Sequence, residues 1–148
     1  MAEVITSFTG KHSFLSNFYP VRVTYEGRVY PTAEHAYVAA KTTDEKVREH
    51  ISTIPTPGEV KRFGRTVYLR HKWDHIKIHE MRTILENKFS AVRSDGGCYG
   101  MLKSTAPAIL IEGNAWGDTF WGQSPIGKGR NELGKLLMAI RDDITSLF

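Results

Sequence analysis

Two side chains in one short segment carry chemistry that the rest of the chain must serve. In Tyr30-Pro31-Thr32-Ala33-Glu34-His35-Ala36-Tyr37-Val38-Ala39-Ala40-Lys41, a carboxylate, an aromatic ring and an amine fall close together. Pro31 and Thr32 predict a helix start, Pro through its preset φ and Thr through capping of free amides. The Ala-rich run that follows favours the helix. Seven helical steps bring Glu34 and Lys41 within about 20° of each other and roughly 10 Å apart along the axis. Tyr37 and Val38 lie between them on that face, while Ala36, Ala39 and Ala40 occupy the opposite one. An acid on one wall of a cleft can move a proton, and the amine beside it either attacks an electrophile, if desolvated, or stays charged and binds a phosphate. The same spacing also suits a surface helix whose end charges complement its dipole, with the Ala face as core. Tyr37 and Val38 on the would-be wet side speak for the cleft.

Those side chains need a scaffold. Glu3 to Phe8 reads as a short strand, and Thr9 to Pro20 as an ordered loop holding Phe14, Phe18 and Tyr19, which either fill the core or line a pocket. Asn17 among these aromatics needs polar partners if buried. Val21 to Tyr25, the Glu26-Gly27 turn and Arg28 to Tyr30 predict a β-hairpin that leads into the helix. Thr42-Thr43-Asp44-Glu45 has capping-box spacing and opens a second helix to about Ser52, and Thr56-Pro57-Gly58-Glu59 opens a third that Gly64 ends. Asp74 is the expected cap of a long helix to Ser90, with Ile78, Met81, Ile84, Leu85 and Phe89 as its core stripe. A turn at Ser94-Asp95-Gly96-Gly97, a short helical piece near Met101-Leu102 and a buried strand within Pro107 to Glu112 follow. Leu133, Leu136, Leu137, Ile140 and Ile144 mark an amphipathic last helix. No repeat or linker interrupts the chain, so 1–148 is expected to be one domain.

Composition narrows the class. A chain of 148 residues with 41% apolar and 24% charged residues is an ordinary globular domain. Its apolar runs, such as Ala108 to Ile111, are too short for a membrane span. The start Met1-Ala2-Glu3 does not resemble a signal peptide. The single cysteine, Cys98, excludes an internal disulfide and reads as structural, so a cytoplasmic location is expected. Net charge of +4 favours anionic partners. The most basic stretch, Lys61 to Lys72, interleaves Lys61, Arg62, Arg65, Arg70 and Lys72 with Phe63, Tyr68 and nearby Trp73. That pattern fits either phosphate and base contacts or a solvated face. His71, His75 and His79 recur every four residues, yet the zincin pattern fails, since Ile76 follows His75 and Thr83 stands where a second ligand would follow His79. No metal site is expected. Gly122, Gly127 and Lys128 match G-x-x-x-x-G-K, but Gly129 replaces the magnesium-binding hydroxyl and no buried strand precedes the loop. A P-loop enzyme is excluded, and a Gly-rich turn with amides facing an anion remains.

Taken together, several blocks resemble the NADAR or YbiA-like domain family. They are Phe14-Leu15-Ser16-Asn17-Phe18, Pro31 to His35 through Lys41, Gly64-Arg65, Trp73, Lys88-Phe89 and Ala106-Pro107. Asp118 with Trp121-Gly122, then Gly127-Lys128-Gly129, Asn131, Leu133-Gly134 and Leu137-Met138 to Arg141 continue the match in order. The resemblance implies a compact, helix-rich α+β single domain with a small β-sheet, no cofactor and no metal. It implies an N-glycosidase acting on a nucleotide-like substrate: ADP-ribose on a modified guanine, whether free or in nucleic acid, or a phosphorylated riboflavin-pathway intermediate. It places Glu34, Lys41 and Asp118 at the chemistry. Around the substrate it places Asn17, Phe18, Tyr37, Arg65, Trp73, Trp121, Gly122, Gly127, Lys128 and Asn131. Ala39-Ala40 replace residues that are often polar in relatives, and Gln123 follows Trp121-Gly122, so substrate choice stays open. A non-catalytic reader of ADP-ribose or a basic nucleic-acid module would explain the charge and the aromatics without needing Glu34 and Lys41 together.

Overall fold

The computed structural model describes residues 3–90 and 98–147; the turn expected at Ser94 to Gly97 lies outside them. The fold is α+β and helix-rich. In chain order it contains β1 (Val4–Ile5), a 3-10 turn (Gly10–Leu15), β2 (Val23–Tyr25), β3 (Arg28–Tyr30), α1 (Ala33–Ala40), α2 (Glu45–Thr53), α3 (Pro57–Gly64), α4 (Trp73–Lys88), α5 (Tyr99–Ser104), β4 (Ile109–Leu110) and α6 (Glu132–Leu147). Two compact units result: Asn17–Lys88, and Met1–Ser16 together with Phe89–Phe148.

In the first of these, α1 is the central element, packed against α2, α3, α4 and both strands of the hairpin. The hairpin forms as its alternation requires: β2 and β3 pair antiparallel, with Val23 opposite Tyr30 and Tyr25 opposite Arg28. Glu26 and Gly27 both take positive φ, 46° and 82°, the turn whose twist matches antiparallel strands. Thr32 caps α1 by accepting from the His35 amide at 3.2 Å. His35 is fully buried; its Nε2 donates to the Ile54 carbonyl at 2.8 Å, which leaves Nδ1 to accept from the Thr32 hydroxyl at 2.7 Å. Burial pushes its pKa down, so the imidazole works as a neutral strut between the start of α1 and the end of α2.

The helix has no wet face. Ala36, Ala39 and Ala40 are buried as expected, but so are Tyr37 and Val38. Only Glu34 and Lys41, near its two ends, are half-buried. Its C-terminal carbonyls, unpaired in any helix, are met by two arginines. Arg48, only 3% exposed, donates from Nε to Ala39 (3.2 Å) and Thr42 (2.9 Å) and pairs with Glu26 at 2.8 Å. The Arg70 amide donates to the Lys41 carbonyl at 2.7 Å, and its Nη1 to that of Ala40 at 3.4 Å.

Two caps differ from expectation. The α2 cap is Asp44, whose Oδ1 accepts from Lys46 and Val47, because Thr42 instead turns its hydroxyl to the Asp44 amide. The long helix starts at Trp73, after Lys72 at φ 58°, so Asp74 sits inside its first turn. Met81, Ile84, Leu85 and Phe89 are buried as the stripe requires, and Ile78 half-buried.

In the other unit β1 pairs in parallel with β4, Ile5 beside Leu110. The helix α6 packs on β4 and α5 and buries Leu133, Leu136, Leu137, Ile140 and Ile144. Phe14 and Cys98 are buried too. Among the described residues, no helix is long and apolar enough to cross a membrane.

Candidate active site

Capping by Thr32 fixes Glu34 in the first turn of α1, where its amide donates to the Asn17 carbonyl at 3.0 Å. Lys41, the residue that ends the helix, extends its amine to 3.4 Å from the Gly64 carbonyl and 5.6 Å from the centre of the Tyr37 ring. Tyr37 in turn rests on the buried Trp73, ring centres 5.5 Å apart. Burial lowers the Lys41 pKa from its ordinary value. The Glu34 charge works against that shift, and Arg65, Lys61 and Lys77 add to it. Burial and the three cations bring this amine nearer to neutrality, against the Glu34 carboxylate.

Gly64 sets the spacing around this amine. A methyl group there would lie 2.9 Å from Val38 Cγ2 and 3.3 Å from Lys41 Nζ. The contact with Val38 is too close to stand, so the added carbon must shift the enclosed valine and push the neighbouring amine by a few tenths of an ångström. Gly64→Ala is therefore expected to lower kcat roughly tenfold to a hundredfold without unfolding the protein. Steady-state kinetics beside a melting curve check this; an unchanged kcat would place the reactive group elsewhere.

Phe18 is exposed, with Lys61 Nζ 5.8 Å from its ring centre. Asn17 directs Nδ2 at the Met81 sulfur (3.6 Å), while its buried Oδ1 meets no hydrogen-bond donor among the described residues. Such an atom calls for a ligand or water. Lys61 and Lys77 were not among the expected site residues: Lys61 read as part of a basic run, and only the fold brings Lys77 of α4 into the field of Lys41. His71, His75 and His79 are all exposed, and among the described residues no cluster of His, Cys, Asp or Glu could hold a metal.

The Gly/Trp loop belongs to the other unit and is a tightly tied structure. Asp118 Oδ1 accepts from the amides of Phe120 (3.2 Å) and Trp121 (2.9 Å), and buried Asn114 brackets Asp118 through its amide and carbonyl. The half-buried Trp121 stands edge-on to Phe120 at 4.8 Å. A Cβ on Gly122 would strike the Glu112 carbonyl and carboxylate and the Asn114 amide, so only glycine fits there. The amides expected to face an anion turn inward instead. Gly127 and Lys128 donate to Ser124, and Arg130, Asn131, Glu132 and Leu133 to carbonyls of the segment Thr119 to Gly122. What this turn offers an anion is side chains, the exposed Lys128 and an Arg130 lying 4.6 Å above the Phe120 ring.

Asn131 is buried at φ 52°, accepting from the Glu112 amide (3.0 Å) and donating to the Leu110 carbonyl (2.9 Å). It shapes the loop by joining the end of β4 to the start of α6. Asn131→Ala removes two buried hydrogen bonds and a residue tolerant of positive φ, an expected loss of about 3 kcal/mol. The melting temperature should fall by about 6–12 °C, and a calorimetric scan reads it directly.

Several known proteins resemble this chain over most of its length. The NADAR domain family model matches residues 6–145. N-glycosidase YbiA of Escherichia coli is 37% identical, the alignment covering 97% of this chain and 91% of that protein. An N-glycosidase of Nostoc punctiforme is 34% identical over 89% of this chain and 85% of its own length. A riboflavin biosynthesis protein of Vibrio vulnificus is 34% identical over 90% of this chain, which spans 36% of that longer protein. The NMR structure of the E. coli protein YbiA superposes with a TM-score of 0.83 at 34% identity, covering 99% of this chain and 88% of that one.

Proposed function

Because the chain belongs to the NADAR domain family, we propose that it is an N-glycosidase that removes ADP-ribose from ADP-ribosylated guanine bases. The observation that carries this reading is the Lys41 amine, half-buried against Tyr37 and Gly64 with its pKa lowered and Glu34 as its opposing charge.

In this reading neutral Lys41 attacks the anomeric carbon as the bond to the base nitrogen breaks. The electron pair of that bond goes to the departing nitrogen, which takes a proton from Glu34. The attached nitrogen then passes one proton to the ring oxygen as the bond from that oxygen to the anomeric carbon breaks, which opens the sugar and leaves a protonated imine joining Lys41 to the ribose. Water, deprotonated by Glu34, adds to the imine carbon; its collapse frees ADP-ribose and restores the amine. Lys61, Arg65 and Lys77 supply positive charge for the diphosphate. Phe18 and Asn17 Oδ1 offer a stacking face and an acceptor to the substrate.

The name of the Vibrio relative favours a second reading, a phosphorylated riboflavin-pathway intermediate as substrate. It uses the same bond cleavage. Incubating the protein with ADP-ribosylated guanosine and separating the products by chromatography decides between them. Free ADP-ribose and guanosine are expected; an intact nucleoside alongside cleavage of the phosphorylated intermediate would transfer the assignment.

A further inference from the structure

The unit that holds β1, β4, α5 and α6 contains an open cavity of about 660 Å³, a size that suits a small molecule. It shares no residue with the surroundings of Lys41. Its floor is apolar, made of the buried Ile5, Phe14 and Ala108, and Met101 of α5 adds a side chain that is 40% exposed. Glu3 and Lys11 line it too, and neither side chain forms an ion pair or a hydrogen bond with any described residue. The half-buried His12 stands beside Lys11 on the 3-10 turn. Thr105 completes the wall with a hydroxyl that is already committed. It donates to the Leu102 carbonyl at 2.7 Å and accepts from Arg141 Nη1 at 3.1 Å. Arg141 is 5% exposed, and its Nε meets no acceptor among the described residues. A guanidinium, with Asp142 as the carboxylate acting on it, therefore lies one hydrogen bond behind the cavity wall.

These groups select their occupant. A neutral apolar molecule covers the floor and leaves both rim charges unanswered. A simple organic anion pairs with Lys11 but must also face Glu3, and an organic cation meets the reverse conflict with Lys11 and Arg141. A molecule that carries an ammonium, a carboxylate and an apolar side chain answers every group. The ammonium goes to Glu3, the carboxylate to Lys11 and the field of Arg141, and the side chain to Ile5, Phe14 and Met101. We propose that this cavity binds a free amino acid with a bulky apolar side chain. The site stands whether or not Lys41 cleaves a glycosidic bond.

The test titrates the ¹⁵N-labelled full chain with L-tryptophan and follows the amide signals by NMR. Saturable shifts are expected at Lys11, His12, Met101 and Thr105. Two truncated probes then separate the charges: tryptamine lacks the carboxylate and indole-3-propionate lacks the ammonium. Each should bind about fivefold more weakly than tryptophan, the upper range for one solvent-facing ion pair. Glu3→Gln should weaken tryptophan and tryptamine by that factor and leave indole-3-propionate no weaker. Lys11→Ser should weaken tryptophan and indole-3-propionate and leave tryptamine no weaker. Met101→Ser should weaken all three alike. These three side chains are exposed, so the variants keep the core intact. Indole-3-propionate binding as tightly as tryptophan, with Glu3→Gln without effect on tryptophan, would overturn the proposal in favour of a simple anion. Shifts that fail to saturate, or that map to other residues, would overturn it outright. So would loss of tryptophan binding in Lys41→Met, since the probe would then report on the other unit.

Discussion

Lys41→Met abolishes turnover, by more than about 10³-fold, and raises thermal stability at neutral pH. The first effect is the loss of an attacking amine, which neither solvent nor a neighbouring cation replaces. The second follows from the direction of the Lys41 pKa. Folding lowers it, chiefly through burial, so the unfolded chain holds that proton more readily than the folded one. Below the lowered pKa the folded state carries a charged amine at a disadvantage, which weakens as pH rises through the folded and then the unfolded value. Met keeps the stem and removes the charge, so its advantage in melting temperature should be largest near pH 7 and shrink toward pH 11. Calorimetry across that range measures it. A variant both inactive and less stable than wild type at pH 7 would mean that the Gly64 and Tyr37 contacts outweigh burial, and that the amine stays protonated.

Glu34→Gln has the next largest effect. Loss of a positioned proton donor and acceptor lowers kcat by about 10²- to 10⁴-fold, while affinity for ADP-ribose, measured by titration calorimetry, stays near the wild-type value. A second signature separates this role from a merely structural one. Since the Glu34 charge raises the Lys41 pKa, the neutral amide lets it fall further. The pH at which half of Lys41 reacts with an aldehyde and borohydride should therefore move down in the variant. An unmoved midpoint with full activity would separate Glu34 from the reacting amine.

The helix that carries both groups was legible from Pro31, Thr32 and the alanines, because capping and propensity are local properties. The hairpin was legible for the same reason, through its alternation and its Glu26-Gly27 turn. What surrounds α1 was not. Tyr37 and Val38 read as the lining of an open wall, yet they are buried, because α3 and α4 also pack on the helix and periodicity registers only how many faces are apolar. Arg48 gave no signal at all: a charged residue in a polar helix becomes structural only when the carbonyls of Ala39 and Thr42, at and just past the end of α1, need a donor. Lys77 enters the field of Lys41 through tertiary packing alone. The Gly-rich turn misled for a related reason. Its composition marks a sharp turn into a helix, but composition cannot say whether the amides point outward or are taken by the carbonyls of the preceding segment, as those of Arg130 to Leu133 are.

Borohydride trapping during turnover is the most direct measurement of the central claim. Wild-type protein, ADP-ribosylated guanosine and sodium cyanoborohydride should give a stable adduct with the mass of reduced ADP-ribose. Peptide mapping should locate it on Lys41, and Lys41→Met should yield none. Full turnover with no adduct, or an adduct on another lysine that survives Lys41→Met, would contradict an amine at this position as the attacking group.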